Sequence, residues 1–235
     1  MSDAQLTIDF PRRTAFGRPD FLVADGNAAA LGWIDWWPDW PSGVLVLHGP
    51  PGCGKTHLAH LWRDRASAVI IGAEELEVER LPHLLDKSGY RIAVDDADRA
   101  PELALLHLYN FCLVGRGSLL ITARLPPGLW KTTLGDLRSR LCAAFAVGIG
   151  APSDALLGGV LIKHFADRQI RVAPEVIAFL IAHMDRSFAA AAEIAARLDA
   201  MALSGKRAIT VRLARKALNE WVDQPLPAGS ASTVT

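Results

Sequence analysis

The sequence predicts an α/β fold built on a parallel five-stranded sheet, followed by a small all-helical part. Three observations predict it. Apolar, β-branched runs alternate with helix-spaced stretches as far as residue 150. The first strong run, Val44-Leu45-Val46-Leu47, opens through a glycine-rich turn onto a helical pattern. After Ala151 strand patterns stop and alanine- and leucine-rich helices take over. Strands alternating with helices form parallel sheets, with ligand chemistry at their carboxyl ends.

Residues 1–17 form a polar arm punctuated by Pro and Arg, with one apolar burst at Gln5-Leu6-Thr7-Ile8-Asp9-Phe10. Its alternation fits a short strand, and it equally fits a linear peptide that docks elsewhere. Residues 18–150 make the α/β domain. Phe21-Leu22-Val23, then Asn27 to Leu31, read as an extended piece entering a helix. Trp33, Trp36, Trp37 and Trp40 follow, broken by Pro38 and Pro41; packing under a loop competes here with a partner surface, where Trp is enriched.

A helix is expected from the glycine turn to about Ala66, and a second strand over Ala68–Ile71. A helical stretch then covers roughly 74–86, and a third strand, Arg91–Asp96, ends in two acids. The spacing predicts a helix over Glu102–Val114, a strand over Ser118–Thr122, a short helix over Leu134–Leu141 and a last strand over Ala144–Ile149. Residues 151–221 read as four helices, with Ser153 and Thr210 as N-caps, Pro174 as a first helical residue and Gly205 as a C-cap. Residues 222–235 are rich in Pro, Gly, Ser and Thr and are expected to be disordered.

The turn carries the chemistry. Gly49, Gly54, Lys55 and Thr56 fit the phosphate-loop signature, with Gly52 as an extra glycine beside Cys53. Glycines let the backbone wrap a polyphosphate with its N–H groups inward. Lys55 reaches the β- and γ-phosphates, the Thr56 hydroxyl holds Mg²⁺, and the helix that follows points its positive dipole end at the same anion. An ordinary Gly/Pro turn is the bland alternative, but the strand before and the helix after are the context that the signature requires. Asp95 then suits the metal shell, and Asp96 beside it suits a group that polarises attacking water. A strand-to-loop turn, where Asp is simply favoured, is the competing reading. Arg138, Arg140 and Arg186 would each pass for solvated surface groups on residue type alone.

Composition narrows the class. In 235 residues, 51% are hydrophobic, and 25 Lys+Arg balance 25 Asp+Glu. A neutral chain carries no electrostatic signal for nucleic acid or an anionic membrane. No apolar run approaches the roughly 20 residues that a membrane span needs, and the first residues lack the form of a signal peptide. Cys53, Cys112 and Cys142 fit neither a disulfide framework nor a zinc site, so a reducing cytoplasm is the simplest compartment. The histidines, His57 and His60 included, form no convincing metal set.

A phosphate loop, an Asp-Asp strand end separated from it by another strand, and a helical lid resemble the AAA+ ATPases, and more narrowly the DnaA/Hda family. The resemblance spans about residues 18–221. It rests on Phe21-Leu22-Val23 with Asn27, Gly49–Thr56, Val94-Asp95-Asp96, Leu120-Ile121-Thr122 with Pro126-Pro127, Leu137-Arg138-Ser139-Arg140-Leu141, and Asp185-Arg186. It implies an AAA+ P-loop domain with a lid, ADP or ATP with Mg²⁺ as cofactor, and Phe21, Val23 and Asn27 near the adenine. It implies contacts to the nucleotide from Gly49 through His57, an arginine finger at Arg140 and a lid arginine, called sensor 2, at Arg186. Two departures stand out. Ala123-Arg124 follows Thr122 where the family carries Ser-Asp or Gly-Asp, which leaves Thr122 as the polar candidate for sensor 1. Asp96 stands where most AAA+ ATPases have Glu, as it does in this family.

The DnaA branch adds a basic helix-turn-helix domain, whereas only a short polar tail follows Trp221, so no direct sequence-specific DNA binding is expected. Gln5-Leu6-Thr7-Ile8-Asp9-Phe10 is similar to the peptide by which the Hda branch binds the β sliding clamp. The resemblance thus implies two partners, the clamp through Gln5, Leu6, Ile8 and Phe10, and DnaA, whose ATP hydrolysis the protein would stimulate while its own ATPase stays weak. A homodimer is compatible with finger geometry. A helicase loader and a nucleotide-binding adaptor without a catalytic role are the rival readings.

Overall fold

The computed structural model describes residues 21–23, 25–205 and 208–223. The arm with Gln5, Leu6, Ile8 and Phe10 lies outside the described residues, as does the tail from residue 224. Helix α1 (Asp25–Trp36) precedes strand β1 (Val44–His48), followed by α2 (Lys55–Ala66), β2 (Val69–Gly72), α3 (Leu81–Ser88), β3 (Arg91–Asp95), α4 (Glu102–Val114), β4 (Ser118–Ala123), α5 (Gly135–Ala143) and β5 (Phe145–Gly148). The strands pair in parallel in the order β2-β3-β4-β1-β5. The phosphate-loop strand β1 therefore sits between β4 and β5.

The central strands are continuous apolar runs because both their faces are covered. Alternation assigns their side chains. Leu45, Leu47, Ala93 and Leu120 pack with Ile34, Trp40, Leu58 and Trp62 of α1, its following loop and α2. Val44, Val46, Ile92, Val94, Leu119 and Ile121 pack on the opposite face with Leu81, Leu105, Leu108, Leu137 and Leu141 of α3, α4 and α5. Three of the four early tryptophans serve this packing. Trp40 stacks on the fully buried Trp62, Trp37 meets the same ring edge-on, and Trp33 lies against Phe145. Trp36 is exposed.

Between β2 and α3 the structure departs from the expected helix over 74–86. Two short 3-10 turns, Ala73–Glu75 and Val78–Arg80, come first, and the helix begins only at Leu81. The Glu75 carboxylate accepts the Gly72 N–H at 3.0 Å and turns the chain there. Pro82, which lacks an N–H, fits only a first helical turn and so marks the later start.

The remaining helices are α6 (Asp154–Ala166), α7 (Pro174–His183), α8 (Phe188–Gly205) and α9 (Val211–Asp223). The Ser153, Ser187 and Thr210 hydroxyls accept N–H groups of the first turns of α6, α8 and α9, and Pro174 opens α7. Leu157, Leu161, Phe165, Ile177, Leu180, Ile194 and Leu198 are among the side chains of a separate apolar core that these helices share. No helix among the described residues is long and apolar enough to cross a membrane.

Candidate functional site

The glycine turn lies at the carboxyl end of β1 and delivers the chain into α2 at Lys55. Gly52 and Gly54 have φ of 67° and 103°, a region that L side chains rarely adopt. A side chain at Gly49 would drive into the Ile149 carbonyl oxygen, and one at Gly52 into Ser187. Lys55 is buried, and its ammonium donates to the Gly49 and Pro50 carbonyls at 2.9 and 3.0 Å. The Cys53 thiol lies 3.9 Å from it, and burial pushes that thiol's pKa up against the pull of Lys55. Burial and the same ammonium push the pKa of His48 down.

The Thr56 hydroxyl donates to Asp95 Oδ2 at 2.8 Å, so the two groups assigned to Mg²⁺ stand together. On the other carboxylate oxygen, the fully buried Thr122 hydroxyl donates to Oδ1 at 2.5 Å and accepts the Asp96 N–H at 3.0 Å. Those bonds tie the end of β4 to the end of β3 and hold Asp96 at φ 52°. Asp96 is half-buried, directly beside the Thr56–Asp95 pair in the chain. Thr122 is thus occupied in orienting Asp95 and is closed to solvent.

The entrance is built from Phe21, Leu22 and the start of the helical part. Phe21 is buried and meets His57 edge-on, with ring centroids 5.1 Å apart. Asn27 is buried and donates to the Leu22 carbonyl at 3.0 Å, fixing the bend into α1, whereas Val23 is exposed. The first residues of α8 close on the turn itself. The Phe188 N–H donates to the Gly52 carbonyl at 2.9 Å, Ser187 covers Gly52, and the Phe188 ring faces Gly54. Arg186, just before them, is engaged elsewhere. Its guanidinium pairs with Asp154 Oδ1 at 2.6 Å and donates to the Pro152 carbonyl at 3.1 Å.

Arg140 lies at the far side of the sheet. Helix α5 returns from the carboxyl end of β4 to the amino end of β5, where Phe145 pairs with Leu45 at the start of β1. Arg140 falls in the last turn of α5, on the face opposite α2, whose first residue is Lys55. It is exposed and makes no ion pair with any described residue. Its carbonyl accepts the Tyr109 hydroxyl of α4 at 3.2 Å. Glu102, at the start of α4, accepts the Thr133 N–H and hydroxyl and the Leu134 N–H at 2.8–3.0 Å, which anchors the entry of α5. Those bonds hold the Glu102 carboxyl pKa below its usual value.

The residues present fit a Mg²⁺-nucleotide. The turn offers N–H donors on a backbone that side chains would obstruct, Lys55 is buried at its mouth, and a hydroxyl–carboxylate pair stands beside it. Sequence reasoning missed the Asp154 partner of Arg186, the Glu102 anchor and the closure of Ser187 and Phe188 on the glycines. Each joins residues far apart in the chain, and no local pattern announces it.

Residues 157–218 match the family described as "Hda, lid domain". The fold is similar to that of domain III of the Thermotoga maritima replication initiation protein DnaA, with a TM-score of 0.75 at 16% identity, covering 89% of this chain and 98% of that one. AMPPCP-bound DnaA from Aquifex aeolicus matches at a TM-score of 0.66 and 16% identity, over 86% of this chain and 68% of that one. A mutant RuvB from Thermotoga maritima matches with 0.66 and 16%, over 84% and 68%. The architecture is thus an AAA+ P-loop fold with a helical lid.

Proposed function

We propose that this AAA+ protein, whose lid matches the Hda family over residues 157–218, regulates replication initiation by stimulating ATP hydrolysis on DnaA. The observation that carries the reading is the position of Arg140. The arginine is exposed near the amino ends of the strands, and its own phosphate loop follows the carboxyl end of β1 on the other side of the sheet. An arginine so placed can serve a nucleotide held by a neighbour and cannot fold back onto its own.

In this reading an adenine nucleotide with Mg²⁺ supplies the phosphate chain that organises the chain's own site. Lys55 and the turn N–H groups bind the phosphates, and Thr56 with Asp95 holds the metal shell. Asp96 orients water in whatever slow hydrolysis occurs here, and Phe21 with Asn27 shapes the adenine side. Arg186 exchanges Asp154 for phosphate and so couples occupancy to the pose of the lid. Arg140 enters the partner's site and neutralises charge developing on the γ-phosphate. Arginine fingers supplied in trans accelerate hydrolysis by about 10³–10⁵-fold. Gln5, Leu6, Ile8 and Phe10 dock on the β sliding clamp in the cytoplasm, and tethering there raises the effective concentration at the target.

The test is single-turnover hydrolysis by DnaA-ATP with clamp loaded on DNA. Arg140→Ala should abolish stimulation while the protein still folds and binds nucleotide. Full stimulation by a folded Arg140→Ala variant would refute the finger. Changing Gln5, Leu6 and Phe10 to Ala should abolish clamp binding and leave nucleotide affinity unchanged. Unaltered clamp affinity would remove the tether and favour a loader or adaptor.

A further inference from the structure

Helix α4 is apolar on every side. Between Glu102 and Arg116 the chain holds no charged residue. Ala104, Leu105, Leu108, Tyr109 and Cys112 form the inner face of the helix and are buried. The outer face carries Leu103, Leu106, His107, Asn110, Phe111 and Val114, with Leu103 54% and Val114 84% exposed. A helix that is apolar all round is ordinarily buried all round, whereas these side chains meet solvent. The stripe reads the same in both directions. It has an exposed aliphatic residue at each end, then Leu106 and Phe111, and a polar pair at the centre. His107 stacks on Phe111 with ring centroids 6.3 Å apart. Among the described residues neither the His107 ring nor the Asn110 amide has a hydrogen-bond partner.

We propose that the outer face of α4 is a contact between two copies of this chain, packed antiparallel about a two-fold axis. A two-fold contact sets one patch against itself, so the patch has to complement its own reverse. In the antiparallel pair Leu103 lies opposite Val114 of the second copy, Leu106 opposite Phe111, and His107 opposite Asn110. An imidazole and an amide can each donate and accept. The polar pair at the centre thus fixes the register, as a single Asn does in a coiled coil. A different protein would be selected largely by charge, and α4 offers none. The thirteen-residue helix is about 20 Å long and alone falls short of the roughly 800 Å² per partner of a stable complex. It packs against both α3 and α5, so a copy seated on it also meets those helices. The dimer is therefore expected to be reversible. Arg140 lies on α5, outside the stripe, and the inference does not rest on the function proposed above.

Sedimentation velocity on the full chain, from micromolar to millimolar concentration, reads the association. The unaltered protein should pass from monomer to dimer as concentration rises. Val114→Glu and Leu103→Lys each set a charge against an apolar side chain and should raise the dissociation constant by about tenfold or more. Both positions are exposed, so urea midpoints should stay in place and show that the fold is kept. Mixing the two variants should recover association, because the antiparallel register brings the new carboxylate of one against the new ammonium of the other. A parallel pair would hold them apart. Trp36→Lys, at an exposed site of α1 on the opposite face of the sheet, should leave association unchanged. A protein that stays monomeric throughout, as it would if another segment of the chain covered α4, would overturn the proposal. So would undiminished association of both single variants, no recovery on mixing, or loss of the dimer in Trp36→Lys.

Discussion

Replacing Thr122 by Val tests whether the hydroxyl at the end of β4 holds the metal-site carboxylate or contacts nucleotide. Valine keeps the shape of the fully buried side chain and deletes two hydrogen bonds. One runs to the Asp95 carboxylate at 2.5 Å and the other comes from the Asp96 N–H at 3.0 Å. A bond to a charged group contributes about 1.5–3 kcal/mol and a neutral one about 0.5–1.5 kcal/mol. Asp95 is half-buried, so water restores part of the first. The expected loss of stability is therefore about 2–3 kcal/mol without any nucleotide present. Urea unfolding should show it as a lower midpoint with an unchanged slope. Thr122→Ser keeps the hydroxyl and should recover most of the loss. Were Thr122 a nucleotide contact instead, Thr122→Val would weaken ATP binding and leave the apo-protein intact. A loss below about 0.5 kcal/mol, the floor for a net hydrogen bond, would refute the holding role.

Other outcomes follow from the same geometry. The Glu102 carboxyl has a folded pKa below its ordinary 4.5 because the Thr133 and Leu134 donors favour its charged form. Its stabilisation is thus complete above the unfolded pKa and is lost as pH falls through the folded one. Glu102→Gln should flatten the acid limb of a stability–pH profile measured by urea midpoints between neutral and acid pH. Asp154→Asn removes the exposed ion pair that engages Arg186, at a stability change of about 1 kcal/mol or less. It should tighten triphosphate binding, measured by titration with a fluorescent ATP analogue, and unchanged affinity would mean that Arg186 makes no such exchange. Alkylation at pH 8, mapped by mass spectrometry, should modify the exposed Cys142 and spare Cys112, which is buried with its pKa pushed up to about 12.

Much of this architecture was legible because the signals were local. The apolar run of β1 and its glycine turn predict strand, loop and helix from adjacent residues. Helix α4 spans the expected Glu102–Val114, since apolar spacing, a preceding Pro101 and a following Gly115 agree. The stretch over 74–86 failed because helical apolar spacing outweighed two local features, the Glu75 bond to Gly72 and the position of Pro82. At the site, Lys55, Thr56 and Asp95 were recognisable by residue type and spacing. The bond from Thr122 to Asp95 was not, because parallel pairing of β3 with β4 brings them together from separate strands. Ser187 was readable only as the start of a helix, and its place over Gly52 arises from how the helical part folds back. For Arg186, residue type alone read as a solvated surface group and only the family resemblance implied a nucleotide contact, whereas the Asp154 partner lies on a helix two elements earlier.

The same topology separates two kinds of work. The glycine turn, Lys55 and Thr56 of α2 and the acids of β3 meet at the carboxyl end of β1. Arg140 is carried to the other end of the sheet by the return of α5, and Glu102 and Tyr109 brace that helix from α4. Binding at the turn therefore has no direct contact with Arg140. Any influence must pass through the packed sheet or through the lid residues Ser187 and Phe188 that rest on the glycines. The bracing of α5 serves a different end. Under the proposed function, a finger acting on a neighbour would need its geometry built into the fold rather than set by its own nucleotide, and three hydrogen-bonding groups on Thr133 and Leu134 converging on the Glu102 carboxylate would supply that rigidity.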